Sequence, residues 1–194
     1  ADMIRNITAT DPDQPWYVQT WFNAPHGPWE VLPTGEQVYS QYYGVPNDTW
    51  KQFKCGNHDL YESRDWAYKT MVSAMDASIG TLLDTIDELG IAEDTLIVFH
   101  SDNGPEVGAG NPGPYKEKKR SLLEGGVRVP AIWQWKGHLA AGSATDAWGA
   151  NVDMFPTFLE AAGLPLPEHV KWDGLSLLAA LEKSKVPGAS STAN

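Results

Sequence analysis

Asp102 and Asn103 stand side by side in the run Ser101-Asp102-Asn103-Gly104, and together they offer a carboxylate and a carboxamide oxygen. Hard divalent cations prefer oxygen ligands of this kind, and Gly104 would allow the tight turn that aims both at one point. Asp-Asn-Gly is also a common turn sequence, so the pair alone does not make a metal site. His26, in Asn23-Ala24-Pro25-His26-Gly27-Pro28, could hold an anion when protonated or donate a proton to a leaving oxygen. The plainer role for such a histidine is packing or capping in a loop. Lys119 adds an ammonium, within a basic run with Lys116, Lys118 and Arg120 that would ordinarily be a solvated face. A different chemistry is offered by Gly56-Asn57-His58-Asp59, which matches the signature of binuclear metallophosphoesterases, in which Asn and His ligate metal. The strand, Asp-x-His and Gly-Asp motifs which that signature requires upstream are absent. His100, His138 and His169 have no zinc-like spacing.

Each candidate needs an element to position it. Residues 16–22 are aromatic and β-branched between Pro15 and Asn23-Ala24-Pro25, and they predict a strand that delivers His26 at its end. Residues 28–60 have no sustained period and many turn formers, which predicts a long surface excursion. From 64 to 89, Tyr68, Met71, Val72, Met75, Ile79, Leu82, Leu83, Ile86 and Leu89 recur at steps of three and four, the mark of an amphipathic helix. Ser63 can cap its start and Gly90 can stop it. The apolar run 95–100 predicts a strand buried on both faces, and Asp102 and Asn103 follow its carboxyl end, where open α/β sheets place ligands. Gly125-Gly126 leads into a predicted strand at 127–135. Residues 153–162 predict a helix with Pro156 in its first turn, and 176–183 a last short one. The alternation of strands and helices predicts an α/β fold, with a mostly parallel sheet and helices on both faces. The tail 184–194 is too poor in apolar residues to order itself.

Composition bounds the function. With 194 residues, 42% of them hydrophobic, the chain is long enough for one domain burying roughly 70% of its unfolded surface. The single cysteine, Cys55, excludes a disulfide within the chain. Twenty-five acidic against 14 basic residues give a net charge of −11, the wrong sign for a nucleic-acid binder. No apolar run approaches the roughly 18 residues of a membrane span, and the first residues lack the apolar stretch of a signal peptide.

Taken together, residues 16–181 resemble the sulfatase family of the alkaline-phosphatase superfamily. The blocks that carry the resemblance stand in family order: Phe22-Asn23-Ala24-Pro25-His26; Tyr68 to Gly80 around Met75-Asp76; Thr95 to Gly104; and Lys119 to Pro130 with Glu124-Gly125-Gly126-Val127-Arg128. Val152-Asp153-Met154-Phe155-Pro156-Thr157 and Asp173-Gly174-Leu175-Ser176-Leu177 resemble the family's following helix and loop. The resemblance implies hydrolysis of a sulfate ester, on an aryl group or a sugar, by a formylglycine hydrate beside Ca²⁺ or Mg²⁺. Asp102 and Asn103 match the family's second pair of metal ligands. His26 and Lys119 match its sulfate contacts, the expected catalytic and substrate-binding residues here. Glu124 and Arg128 match positions expected to support the backbone. A secreted, periplasmic or lysosome-like compartment is suggested by the family alone.

The departures are specific. Formylglycine forms at Cys or Ser four residues before an arginine, and the residues four before Arg5, Arg64, Arg120 and Arg128 are Ala1, Leu60, Lys116 and Glu124. Cys55 does not fit the signal. The family's first pair of aspartate ligands and its Lys-x-His block are also absent. The resemblance therefore implies that residues 1–183 are the later part of a catalytic domain, inactive alone and weak in calcium affinity. A degenerate, non-enzymatic module for sulfated glycans, docking through the aromatic-rich excursion, is the alternative alongside the metallophosphoesterase.

Overall fold

In a computed structural model the described residues are 1–27 and 61–186, without the side chains of 61–64 and 66. The chain divides into two compact units, Ala1–Leu89 with Asn103–Val129, and Gly90–Asp102 with Pro130–Asn194.

The first unit begins with helix α1 (Asp2–Thr10), which buries Ile4. Its Arg5 Nη2 donates to Glu88 Oε2 at 2.7 Å, at the end of helix α2 (Tyr61–Glu88). A carboxylate at a helix C-terminus opposes the helix dipole, and the guanidinium offsets it. The hydrogen bond to Glu88 is the main reason the Arg5 guanidinium is held above its ordinary value. The periodicity predicted the extent of α2 closely, but of the nine stripe residues only Met71 and Ile86 are buried. Ala67, Thr70, Met71 and Ala74 are buried at steps of three and four, and Ile86 is buried further along. The threonines sit inside because Thr70 and Thr85 donate their hydroxyls to the carbonyls of Ala67 and Thr81. Gly90 stops the helix at φ +70°, the left-handed conformation that glycine adopts without strain. Ser63 lies inside the first turn of α2 rather than ahead of it.

Residues 16–22 belong to no strand among the described residues. Side-chain pattern is only half the requirement for a strand, since a ladder partner must also supply hydrogen bonds. The predicted excursion at 28–60, with Cys55, Asn57 and His58, lies outside the described residues.

The second unit carries strand β1 (Ile97–His100) paired antiparallel with strand β2 (Ala131–Gln134), in the register Ile97 to Gln134 and His100 to Ala131. The side chains of β1 are half-buried at Ile97, Val98 and Phe99, not enclosed on both faces. β2 starts later than predicted, because Glu124–Val127 forms a one-turn helix, α3. The glycine pair inside α3 packs backbone against backbone: a Cβ on Gly125 would stand 1.9 Å from the Glu117 carbonyl oxygen, and one on Gly126 2.0 Å from that of Ser121.

Helix α4 (Asn151–Ala161) packs against β2 through Phe158, whose ring centroid is 6.0 Å from that of Trp133. Asp153 organises its start. One carboxylate oxygen accepts the Ala150 N–H at 2.7 Å, and the other accepts the Leu175 N–H at 2.8 Å. Buried Thr157 donates to the Asp153 carbonyl and accepts the Leu177 N–H. Pro156 cannot bond the Val152 carbonyl. Gly174 lies against that oxygen so closely that a Cβ would come within 2.0 Å of it. Helix α5 (Leu178–Glu182) follows this loop, and Lys185 then bridges to Ala144. Residues 187–194 of the predicted tail lie outside the described residues. No described helix is long and apolar enough to cross a membrane.

Candidate anion site

Within the first unit the loop after Asn103 folds back on itself and is tied down by main-chain bonds. The Gly104 N–H donates to Gly126 O at 2.8 Å, Gly125 N–H to Lys116 O at 2.9 Å, and Lys119 N–H to Pro105 O at 3.2 Å. Gly104 has no room for a side chain, since a Cβ would lie 1.9 Å from Gly125 O. The turn that presents Lys119 holds Glu117 at φ 67° and Arg120 at φ 77°, a left-handed conformation unusual outside glycine. Two such residues flanking Lys118 and Lys119 cost about 1–3 kcal/mol each, which the surrounding bonds must overcome. Lys118 Nζ donates to the Gly110 carbonyl.

These bonds carry Lys119 to a partner that sequence reasoning did not single out. Its Nζ lies 3.0 Å from Glu106 Oε2, and both side chains are only 19% exposed. The same oxygen lies 4.0 Å from His26 Nε2. His26 is the more open group, at 59% exposed. Its position is set by its own main chain, with the N–H donating to Asn23 O, and by its ring, with Nδ1 2.6 Å from Gly27 O. A carbonyl oxygen only accepts, so Nδ1 carries the proton. Nε2 is thereby turned toward Glu106. The peptide bond before Pro25 is cis.

Burial alone would push the Glu106 carboxyl up, but it is held below its ordinary value. The Lys119 hydrogen bond and charge, the Val107 N–H and the His26 ring together outweigh burial. Tyr68, from α2, is affected in the opposite sense: burial, and then the Glu106 charge, push its phenol up. The geometry is thus one carboxylate oxygen between an ammonium and an imidazole, beside a neutral phenol. An arrangement that holds an internal oxyanion in this way can also hold an oxyanion of a ligand. His26 and Lys119, far apart in the chain, are the two predicted site residues that the fold brings together.

Asp102 is exposed and belongs to the second unit, while Asn103 begins the return into the first. Asn103 Nδ2 donates to Gly104 O at 2.9 Å, so the amide nitrogen is engaged by the main chain. The two side chains suit a hard cation in donor type but supply two of the six to eight oxygens that calcium takes. Among the described residues no group of three or more His, Cys, Asp or Glu is placed to hold a metal ion. Glu124 and Arg128 pair with each other at 3.0 Å, and the Arg128 guanidinium lies 4.6 Å over the Tyr115 ring.

Glu106 could have been flagged only by its place, two residues beyond Gly104 on the same rim; nothing in its immediate sequence marks it. Tyr68 is one member of the apolar stripe of α2 and carries no separate signal.

A family model described as Sulfatase matches residues 1–164. Human steryl-sulfatase is 40% identical over 139 residues, covering 63% of this chain and 24% of its own length. Human arylsulfatase A is 36% identical over 146 residues, covering 73% of this chain and 28% of its own. The chain therefore spans about a quarter of these relatives. Among solved structures, Ps i-CgsB in complex with k-i-k-neocarrahexaose superposes with a TM-score of 0.74 at 28% identity, over 92% of this chain and 36% of that one.

Proposed function

Because the chain belongs to the sulfatase family, an α/β fold of sulfuric-ester hydrolases, we propose that it contributes an anion clamp and half of a metal site to the hydrolysis of a sulfate ester. The observation that carries this reading is the convergence of His26 and Lys119 on one carboxylate oxygen. In the reaction the Lys119 ammonium and the His26 ring hold the oxygens of the sulfate group and offset the charge that builds on them as the ester bond breaks. His26 is open to solvent, and when Nε2 is protonated as well as Nδ1 it is also placed to pass the Nε2 proton to the departing oxygen. Asp102 and Asn103 would hold part of the shell of a Ca²⁺ or Mg²⁺ ion, whose positive charge, when bound, stabilises sulfate oxygens.

The nucleophile is not among this chain's residues, since no Cys or Ser stands four residues before an arginine. Residues 1–183 are read as the later part of a catalytic domain. The chain by itself binds a sulfate ester without turning it over. Substrates of the whole protein are sulfate esters of an aryl group or a sugar, a reading supported by the names of arylsulfatase A and of the neocarrahexaose complex. The family match favours neither the metallophosphoesterase nor the non-enzymatic module.

The test is a titration of the chain with phenyl sulfate, followed by NMR at the His26 ring and the Lys119 side chain, with turnover measured on the same sample. Shifts at both residues without release of phenol are expected. Shifts at neither residue would remove the site, and sustained hydrolysis would remove the claim that the nucleophile lies elsewhere.

A further inference from the structure

Glu106 lies where an anion site would be expected to exclude a carboxylate. One of its oxygens is 3.0 Å from Lys119 Nζ and 4.0 Å from His26 Nε2, the two groups proposed to receive sulfate. Lys119 is otherwise the enclosed positive charge of the clamp, and the carboxylate cancels it on a charge count. His26 adds a charge only when protonated. A binding surface for a multiply charged anion would keep every cation uncompensated, so this clamp is built for a weaker charge.

The two tetrahedral esters that such a clamp could receive differ in that respect. A sulfate monoester carries a single negative charge, whereas a phosphate monoester carries about −1.5 to −2 near neutral pH. The two are otherwise close in size and shape, so packing separates them poorly. Charge separates them well. An ammonium has three N–H donors, so donating one to Glu106 does not exhaust Lys119, and the ester and the carboxylate can share it.

We propose that Glu106 is a specificity-determining residue: its carboxylate, held between Lys119 and His26, subtracts one charge from the anion clamp so that singly charged sulfate esters are accepted and doubly charged phosphate esters are disfavoured. The proposal rests on the assignment of His26 and Lys119 as sulfate contacts. The low exposure of Glu106 strengthens the effect, because water screens its charge less than it would at the surface. The Lys119 bond and the Val107 N–H keep the carboxylate ionised where burial would favour protonation.

The experiment compares phenyl sulfate with phenyl phosphate at pH 8 on the full 194-residue chain, with affinities read from the His26 and Lys119 resonances. Wild type, Glu106→Gln and Glu106→Asp are titrated, each checked for a native-like amide spectrum. Gln keeps the shape and an oxygen acceptor for Lys119 but removes the charge; Asp keeps the charge. Glu106→Gln is expected to move the ratio of the two affinities toward the phosphate by about tenfold or more, and Glu106→Asp to retain most of the wild-type ratio. An unchanged ratio in a folded Glu106→Gln protein overturns the proposal. So does an equal loss of both ligands, which would make Glu106 a support for Lys119 and nothing more. If neither ligand moves His26 or Lys119 in the wild type, the anion-site assignment has failed, and the proposal falls with it for a reason the ratio does not report.

Discussion

Two carboxylates in this molecule are held by quite different partners. Asp153, at the start of α4, gives one oxygen to the N–H of Ala150 and the other to the N–H of Leu175. Glu106 also takes the Val107 N–H, but it turns one oxygen toward the Lys119 ammonium and the His26 ring, for which Asp153 has no counterpart among the described residues. A backbone N–H cannot move without moving the fold, so Asp153 fastens a helix to the loop 173–177. An ammonium and an imidazole at the ends of side chains can re-form their bonds with a ligand, so Glu106 is fastened to groups that can act. The same functional group is structural in one place and chemical in the other, and the difference lies in what answers it.

The comparison is tested most severely at Asp153. Its replacement by Ala leaves two backbone donors without their charged acceptor, and hydrogen bonds to charged groups contribute about 1.5–3 kcal/mol each. Asp153→Ala should therefore lower stability by about 3 kcal/mol in denaturant unfolding, while the affinity of the folded fraction for phenyl sulfate stays as in wild type. A loss of anion binding in a folded Asp153→Ala protein would break the division between the two carboxylates. Thr157→Val is the next step down. It keeps the buried shape but removes the acceptor of the Leu177 N–H and the hydroxyl on the Asp153 carbonyl, so a loss of about 1–3 kcal/mol is expected, again without an effect on anion binding.

At Lys119 the expected order is reversed. Lys119→Met should remove phenyl sulfate binding while lowering stability at pH 7 by only about 1 kcal/mol, because the ion pair is half-buried and both partners retain some access to water. The pH dependence sharpens this. Glu106 is held below its ordinary value when folded, so its pairing adds stability that is present above the unfolded-state value and lost as the pH falls through the folded value. Lys119→Met removes the strongest of the lowering influences while burial remains. Its unfolding free energy should then fall less steeply than that of wild type from about pH 5 downward, as read from urea midpoints.

How far the sequence reveals these regions follows from the kind of signal each leaves. The extent of helix α2 was legible because apolar spacing at steps of three and four is a property of the chain itself. The stop at Gly90 was legible for the same reason. The buried face of α2, with Ala67, Thr70 and Ala74, was not, because small and hydroxylated residues leave no apolar stripe. Residues 16–22 show strand-like composition and no strand, because pairing depends on a second segment that periodicity does not see. The apolar content reads as a full core, yet Trp21, Leu122 and Trp148 are 82%, 93% and 95% exposed. Composition counts apolar side chains without locating their partners. At the site, the motifs named His26, Lys119, Asp102 and Asn103 as residues, but the convergence of His26 and Lys119 on one oxygen was invisible. It depends on the left-handed turn at Glu117 and Arg120 and on glycines pressed against carbonyl oxygens, none of which has a periodic signature. Glu106 was missed because a single glutamate after a loop carries no pattern at all.

The smallest effect is expected at Asp102. Its side chain is exposed, and a surface substitution away from packing and caps usually changes stability by no more than about 0.5 kcal/mol. Asp102→Ala should therefore leave the unfolding midpoint and the phenyl sulfate shifts at His26 and Lys119 essentially unchanged in metal-free buffer. Its effect belongs to calcium. Two oxygen ligands give weak affinity, about millimolar or weaker, because most of the shell must be water, and loss of the only carboxylate in the pair should reduce it further. Calorimetric titration of Ca²⁺ into the wild-type chain and into Asp102→Ala tests both points. Tight stoichiometric binding that survives the substitution would place the ion elsewhere and leave Asp102 as a turn residue. Weak binding that disappears with Asp102 would add a third kind of carboxylate to the comparison: an exposed one that serves a metal ion.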